Sequence, residues 1–151
     1  MVAGMDPDVL RQLCEQFIPF NKFLGVRMIM VENGRTLLEL PFREELVGDP
    51  VKRALHGGVI STLADAAGGM ALWAALPNPE QRISTIDLRV DYLRPGRSEA
   101  LVAEATVVRV GRSVGVTDMR LFHHSAPLET VATGKGVYAI KTPRAPPPSL
   151  R

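Results

Sequence analysis

The sequence predicts an α+β fold in which an antiparallel sheet of about six strands curls round one long helix, with a shorter helix at the N-terminal end. Three observations carry this. Residues 55–76 are apolar almost all the way round and hold a single charge, Asp65. A helix of that kind has no solvent face and must be enclosed, and a carboxylate inside it is costly unless it is paired or employed. Six other stretches read as strands, at about 24–31, 35–42, 84–93, 99–110, 114–123 and 129–141. The turns between most of them are short, and strands joined by tight turns pair antiparallel. One such sheet can cover one apolar helix only by bending around it.

Each element has its own cause. Asp6-Pro7 supplies an N-cap followed by proline at the first helical position. The segment to about Phe17 then sets Leu10, Leu13 and Phe17 on one face, a short amphipathic helix that Pro19 ends. Val26, Met28 and Met30 alternate with Arg27 and Ile29 as a strand, and Asn33-Gly34 is a strong hairpin signal. Residues 43–54 read as a polar loop holding Gly48 and Asp49-Pro50, and Pro77-Asn78-Pro79 stops the long helix. In 84–93, Ile86, Leu88, Val90 and Tyr92 fall on one face and Thr85, Asp87, Arg89 and Asp91 on the other. Turns follow at Arg94-Pro95-Gly96-Arg97, Gly111-Arg112-Ser113 and Ala126-Pro127, and the alternation slips near Asp118, where a bulge is expected. The organisation is an N-terminal helical segment over 1–20, one folded domain over 21–141, and a disordered tail over 142–151 rich in proline.

Composition narrows the function classes. A chain of 151 residues with 46% apolar and 23% charged residues makes one ordinary globular domain. The net charge of +2 comes without a basic run, which argues against nucleic acid as a main partner. Cys14 is the one cysteine, so no internal disulfide forms, and residues 1–20 lack a signal-peptide pattern; a cytoplasmic setting is expected. Residues 57–76 are long enough to cross a bilayer, but Asp65 and the many Ala and Gly residues argue against a membrane span. His123-His124 has no acid or cysteine at ligand spacing, so no metal site is expected.

Leu55-His56-Gly57-Gly58, an acid eight residues beyond the first glycine at Asp65, and a later strand ending Asp91-Tyr92-Leu93-Arg94-Pro95 together resemble the hotdog-fold thioesterases over about residues 22–141. The group most similar is the phenylacetate-pathway (PaaI-like) or acyl-CoA thioesterase 13 type. The resemblance implies a hotdog fold, hydrolysis of an acyl-CoA with an aryl or medium-chain acyl group, and no cofactor, coenzyme A entering as part of the substrate. It also implies a homodimer and, beyond it, a homotetramer.

The chemistry follows from the residues themselves. Glycines at a helix start let a substrate approach free amides at the positive end of the helix dipole, which suits a developing oxyanion. Thioester hydrolysis also needs a carboxylate acting as base towards water or as nucleophile. Asp65 lies about 12 Å from Gly57 along one helix at 1.5 Å per residue, too far for both to serve one carbonyl and its water. A complete site therefore takes Asp65 from a second chain, with the central helices antiparallel and two equivalent sites in a dimer.

By resemblance, Gly57 is the oxyanion donor, Asp65 the base or nucleophile, His56 a loop-positioning residue near the thioester, and Thr85 the hydroxyl that orients water. Gly58 and Asp49 adjoin the substrate, and Gly111, Arg112 and Ser113 stand where relatives hold the coenzyme A phosphates, with Arg94 and Arg97 assisting. Two departures stand out: Pro50 occupies the place of an asparagine six residues before the histidine, and Gly69 the place of a Ser or Thr four residues after the acid. Each residue also has a plainer reading: Asp65 as a buried structural carboxylate, His56 as a cap, Gly57-Gly58 as a tight junction, Gly68-Gly69 as points of close packing, Thr85 as a strand residue, and the arginines as solvated turn residues. Ala66, Ala67 and Gly69 leave space beside the helix, and Met28, Met30 and Met70 offer an adaptable lining. The alternative functions are a non-catalytic acyl-CoA binding module and, less suited because His56 lacks the required context, an acyl-thioester hydratase.

Overall fold

The computed structural model describes residues 4–144. Asp6 caps helix α1 (Pro7–Gln12), its Oδ1 accepting from the amides of Asp8 at 2.8 Å and Val9 at 3.3 Å. The chain does not stop at Pro19. It widens into a π turn over Leu13–Phe17, and Pro19 then opens α2 (Pro19–Leu24) from the first helical position, where its missing N–H costs nothing. Gly25, with φ 77°, closes α2, so strand β1 begins at Arg27 and not at Leu24. Leu10, Cys14 and Leu24 from this segment enter the same core as the sheet.

The sheet has six antiparallel strands: β1 (Arg27–Glu32), β2 (Arg35–Leu40), β5 (Arg82–Tyr92), β6 (Leu101–Val110), β7 (Val114–His123) and β8 (Ala132–Lys141), in the order β1-β2-β6-β7-β8-β5. The 43–54 loop is more ordered than its composition suggests, forming a 3-10 turn over Glu44–Leu46 and a two-strand ribbon of β3 (Val47–Asp49) and β4 (Ala54–Leu55). The long helix α3 (Gly57–Ala75) touches all six strands of the main sheet. Its Ile60, Leu63, Ala64, Ala67, Met70 and Ala71 are buried against Leu38, Leu40, Leu101, Ala103 and Leu121. This is the α+β arrangement expected, and α3, long and apolar enough to cross a membrane by length and composition, spends that character on the sheet.

The helix is not enclosed on every side. Gly58 is exposed, and Ser61, Thr62, Asp65, Ala66 and Trp73 are half-buried along one open stripe. The stripe lies beside β5, which is an edge strand with β8 as its one neighbour. Ile86, Tyr92 and Leu93 are exposed there.

Two irregularities differ from expectation. Asp118 sits in regular register, opposite Thr106 and Lys135, and the slip lies instead on β6 between Val107 and Arg109. A second bulge falls in β5 between Thr85 and Asp87. It turns Ile86 outward and places Thr85 on the helix side together with Leu88 and Val90, reversing the face that strict alternation assigns to it. At the opposite edge, side chains cap β1 at one residue: the Met28 amide donates to Glu15 Oε1 at 2.7 Å, and Arg11 Nε donates to the Met28 carbonyl at 3.2 Å. The proline-rich tail beyond residue 144 lies outside the described residues.

Candidate active site

Asp65 stands two turns into α3, half-buried, with its side chain turned towards β5. The Thr85 hydroxyl donates to it, 2.9 Å from Oδ1 and 3.2 Å from Oδ2. The β5 bulge makes this contact possible, since an unbroken strand would carry Thr85 to the other face. Tyr138 of β8 donates its buried hydroxyl to the Asp65 backbone carbonyl at 3.1 Å. Burial, reinforced by the Asp65 charge, holds the Tyr138 phenol well above its ordinary value and therefore neutral. Asp65 and Thr85 lie on the wall of a cavity of about 350 Å³ between α3, β5 and α2, which is otherwise mainly apolar.

The start of α3 is organised by His56. Its Nδ1 accepts from the Gly58 amide at 2.9 Å, so in the neutral ring the proton sits on Nε2. Val59 and Ile60 donate to the His56 carbonyl at 2.9 and 3.3 Å. Of the first amides of the helix, that of Gly57 has no acceptor among the described residues, as an oxyanion donor requires. Tyr92 fixes the same residue from the other side by donating to the Gly57 carbonyl at 3.0 Å. The two glycines differ in their reasons: a Cβ on Gly58 would meet His56 Nδ1 at 2.9 Å, whereas one on Gly57 would make only ordinary contacts with Tyr92. Gly58 thus serves the histidine cap, whereas the fold itself leaves room for a Cβ at Gly57.

The expected site residues fall into separate places. Gly57 and Arg94 line a hollow of about 360 Å³ with Tyr92 at the helix start. Gly111, Arg112 and Ser113 line another of about 340 Å³, joined by Arg109. Gly111 is also required by its turn, since a Cβ there would lie 2.7 Å from the Val114 carbonyl oxygen. Asp49 lines neither hollow nor the Asp65 cavity; its Oδ1 accepts from the amides of Val51 and Lys52 at 2.9 and 3.0 Å, and those bonds pull its carboxyl below the ordinary range. Arg97 is committed to Glu129 at 2.8 Å and Ser125 at 3.3 Å. Buried His123 has both nitrogens engaged: Nε2 accepts from the Arg97 amide at 2.9 Å, so Nδ1 carries the proton to the Ala100 carbonyl at 2.8 Å. His124 Nε2 lies 2.6 Å from Glu39.

Some residues that shape the site carry no sequence signal. Phe20 and Asn21 reach the Asp65 cavity from α2, a helix hidden behind the proline that opens it. Tyr92 and Tyr138 read as strand aromatics, and only the fold brings their hydroxyls to α3.

The chain is similar to known proteins over most of its length. Residues 53–128 match the family described as the thioesterase superfamily. A Halobacterium salinarum protein provisionally named an esterase is 36% identical over 151 residues, covering 92% of this chain and 97% of its own. A medium/long-chain acyl-CoA thioesterase of Escherichia coli is 32% identical over 146 residues, 87% of this chain and 93% of that one. Among solved structures, the Escherichia coli PaaI protein from the phenylacetic acid degradation operon superposes with a TM-score of 0.70 at 24% identity, covering 80% of this chain and 83% of that one. With the helix-capped glycine, the acid on the central helix and the six-stranded sheet in place, this chain belongs to the thioesterase superfamily of hydrolases.

Proposed function

We propose that the protein hydrolyses an acyl-coenzyme A to the free acid and coenzyme A, working as a homodimer in which Asp65 of one copy faces Gly57 of the other. The observation that carries the reading is the Asp65–Thr85 pair on the wall of an apolar cavity, remote along α3 from the unpaired Gly57 amide. The name of the Escherichia coli relative favours the same substrate class. The open stripe of α3 and the exposed Ile86, Tyr92 and Leu93 along β5 favour pairing at this edge. A cytoplasmic setting and a pairing of dimers into tetramers belong to the same proposal.

In the proposed reaction the thioester carbonyl oxygen lies against the Gly57 N–H, where the helix dipole and the amide favour its developing negative charge. Water, held by Asp65 and the Thr85 hydroxyl, attacks the carbonyl carbon and gives a proton to Asp65. Collapse of the tetrahedral intermediate breaks the C–S bond, and the proton on Asp65 passes to the departing sulfur. Arg112, Ser113 and Arg109 supply donors and charge for the coenzyme's phosphates.

Release of free thiol from short, medium, long and phenylacetyl CoA esters tests this, with Asp65→Asn beside the wild type. The isosteric amide cannot take a proton, so turnover falls by about 10²–10⁴-fold while the fold is kept. Equal rates in the two proteins would remove Asp65 from the chemistry. Binding of acyl-CoA without turnover in either would favour a binding module.

A further inference from the structure

The cavity beside Asp65 has a direction. On α3 its wall is Thr62, Asp65, Ala66, Gly69, Met70 and Trp73, one stripe with three- and four-residue spacing. The Asp65–Thr85 pair stands towards one end and Trp73 marks the other. Trp73 is pinned, its Nε1 donating to the Gln81 carbonyl at 3.1 Å. Gly69 sets the width between them: a Cβ there would lie 3.2 Å from Ile83 Cδ1 and 3.6 Å from Tyr138 Cε1.

We propose that this stripe gauges acyl length: an unbranched chain lies along α3 from a thioester at Asp65 to a stop at Trp73, with Gly69 admitting its middle. The proposal rests on the acyl-CoA reading above and adds which acyl groups fit. Eight residues of helix from Asp65 to Trp73 span about 12 Å. An extended chain with C–C bonds of about 1.5 Å advances about 1.25 Å per carbon, so about eight to ten carbons reach the indole. Shorter chains leave apolar wall in water, and a phenylacetyl group fills only the part nearest Asp65. Longer chains must turn outward past Phe20, which borders the cavity while about half exposed.

The test is a length series of straight-chain acyl-CoAs from four to sixteen carbons plus phenylacetyl-CoA, read as kcat/KM. Dissociation constants of the matching S-alkyl-CoA thioethers, which cannot be hydrolysed, are measured in parallel. In the wild type each methylene improves both readouts about fourfold, the equivalent of burying one CH₂, until eight to ten carbons, after which the gain stops. Trp73→Ala moves the maximum at least two carbons longer. Gly69→Ala moves it shorter, because the new methyl drives Ile83 into the channel; this variant gains helix propensity and keeps the proposal testable should Trp73→Ala fail to fold. A length maximum that stays in place in the folded Gly69→Ala protein, or wild-type binding indifferent to length, overturns the gauge. Thioether binding that shows the maximum and its shift, without turnover of any ester, upholds the gauge and defeats the thioesterase reading instead.

Discussion

Thr85→Val removes the hydrogen bond that the Thr85 hydroxyl donates to the Asp65 carboxylate. The substitution keeps the β-branched shape in β5 and removes a hydroxyl that donates at 2.9 Å to Asp65 Oδ1 and lies 3.2 Å from Oδ2. Hydrogen bonds to charged groups contribute about 1.5–3 kcal/mol. In the single chain the pair is open to water, which can replace part of the bond, so the lower part of that range applies. A loss of about 1.5–2 kcal/mol from the transition state corresponds to a fall of about 13–30-fold in kcat. KM should change little, because the hydroxyl is assigned to the carboxylate and the water and not to the acyl group. Steady-state thiol release reads this directly, with Thr85→Ser as the rescue, since serine restores the donor without the methyl. A valine variant within twofold of wild type, or serine and valine variants that behave alike, would return Thr85 to the ordinary strand positions.

Three further outcomes are expected. Burial pushes the Cys14 thiol from its ordinary 9.0 up to about 12, so the folded state holds this proton more tightly than the unfolded chain. The linked stability is complete below about pH 9 and drains away as pH rises towards 12, at up to about 1.4 kcal/mol per pH unit; urea melts of wild type and Cys14→Ala between pH 7 and 11 check the sign, and parallel curves would refute it. Asp6→Ala removes the cap on Asp8 and Val9, costing about 1 kcal/mol, or about 2–4 °C in Tm, in a thermal melt. Ile86→Glu places a charge on an exposed bulge residue where a lone chain tolerates it; sedimentation should show monomers and thiol release should vanish with them, whereas an active monomer would dismiss the shared site.

Much of the framework was legible because local chemistry and global packing agree. Asp6-Pro7 caps a helix, Asn33-Gly34 turns β1 into β2 with φ 77° at Gly34, and residues 55–76 contain the central helix. Asp65 stood out because a lone carboxylate on an apolar helix is costly without a role. The face of Thr85 was misleading for a physical reason: a bulge adds one residue to a strand without changing the residue types around it, so β5 alternates in sequence through a point where its faces exchange in space. Asp118 erred the other way, looking like a slip while the real one lay on the neighbouring strand at Val108. Pro19 is ambiguous in sequence because proline closes one helix and opens another equally well. The roles of Phe20, Trp73 and Tyr138 depend on contacts between elements distant in the chain, which no local pattern encodes.

The clamp of Arg11 and Glu15 on the Met28 backbone has a consequence for how copies can accumulate. An antiparallel sheet with two bare margins is bivalent for strand addition and can in principle extend without limit, the usual route from pairing to fibres. Here one margin is held at Met28 by the molecule's own side chains, which leaves β5 the more open of the two among the described residues. Joining two such margins about a two-fold axis consumes both and leaves none over. The N-terminal segment thereby makes β1 the less receptive of the two margins and directs strand addition towards β5.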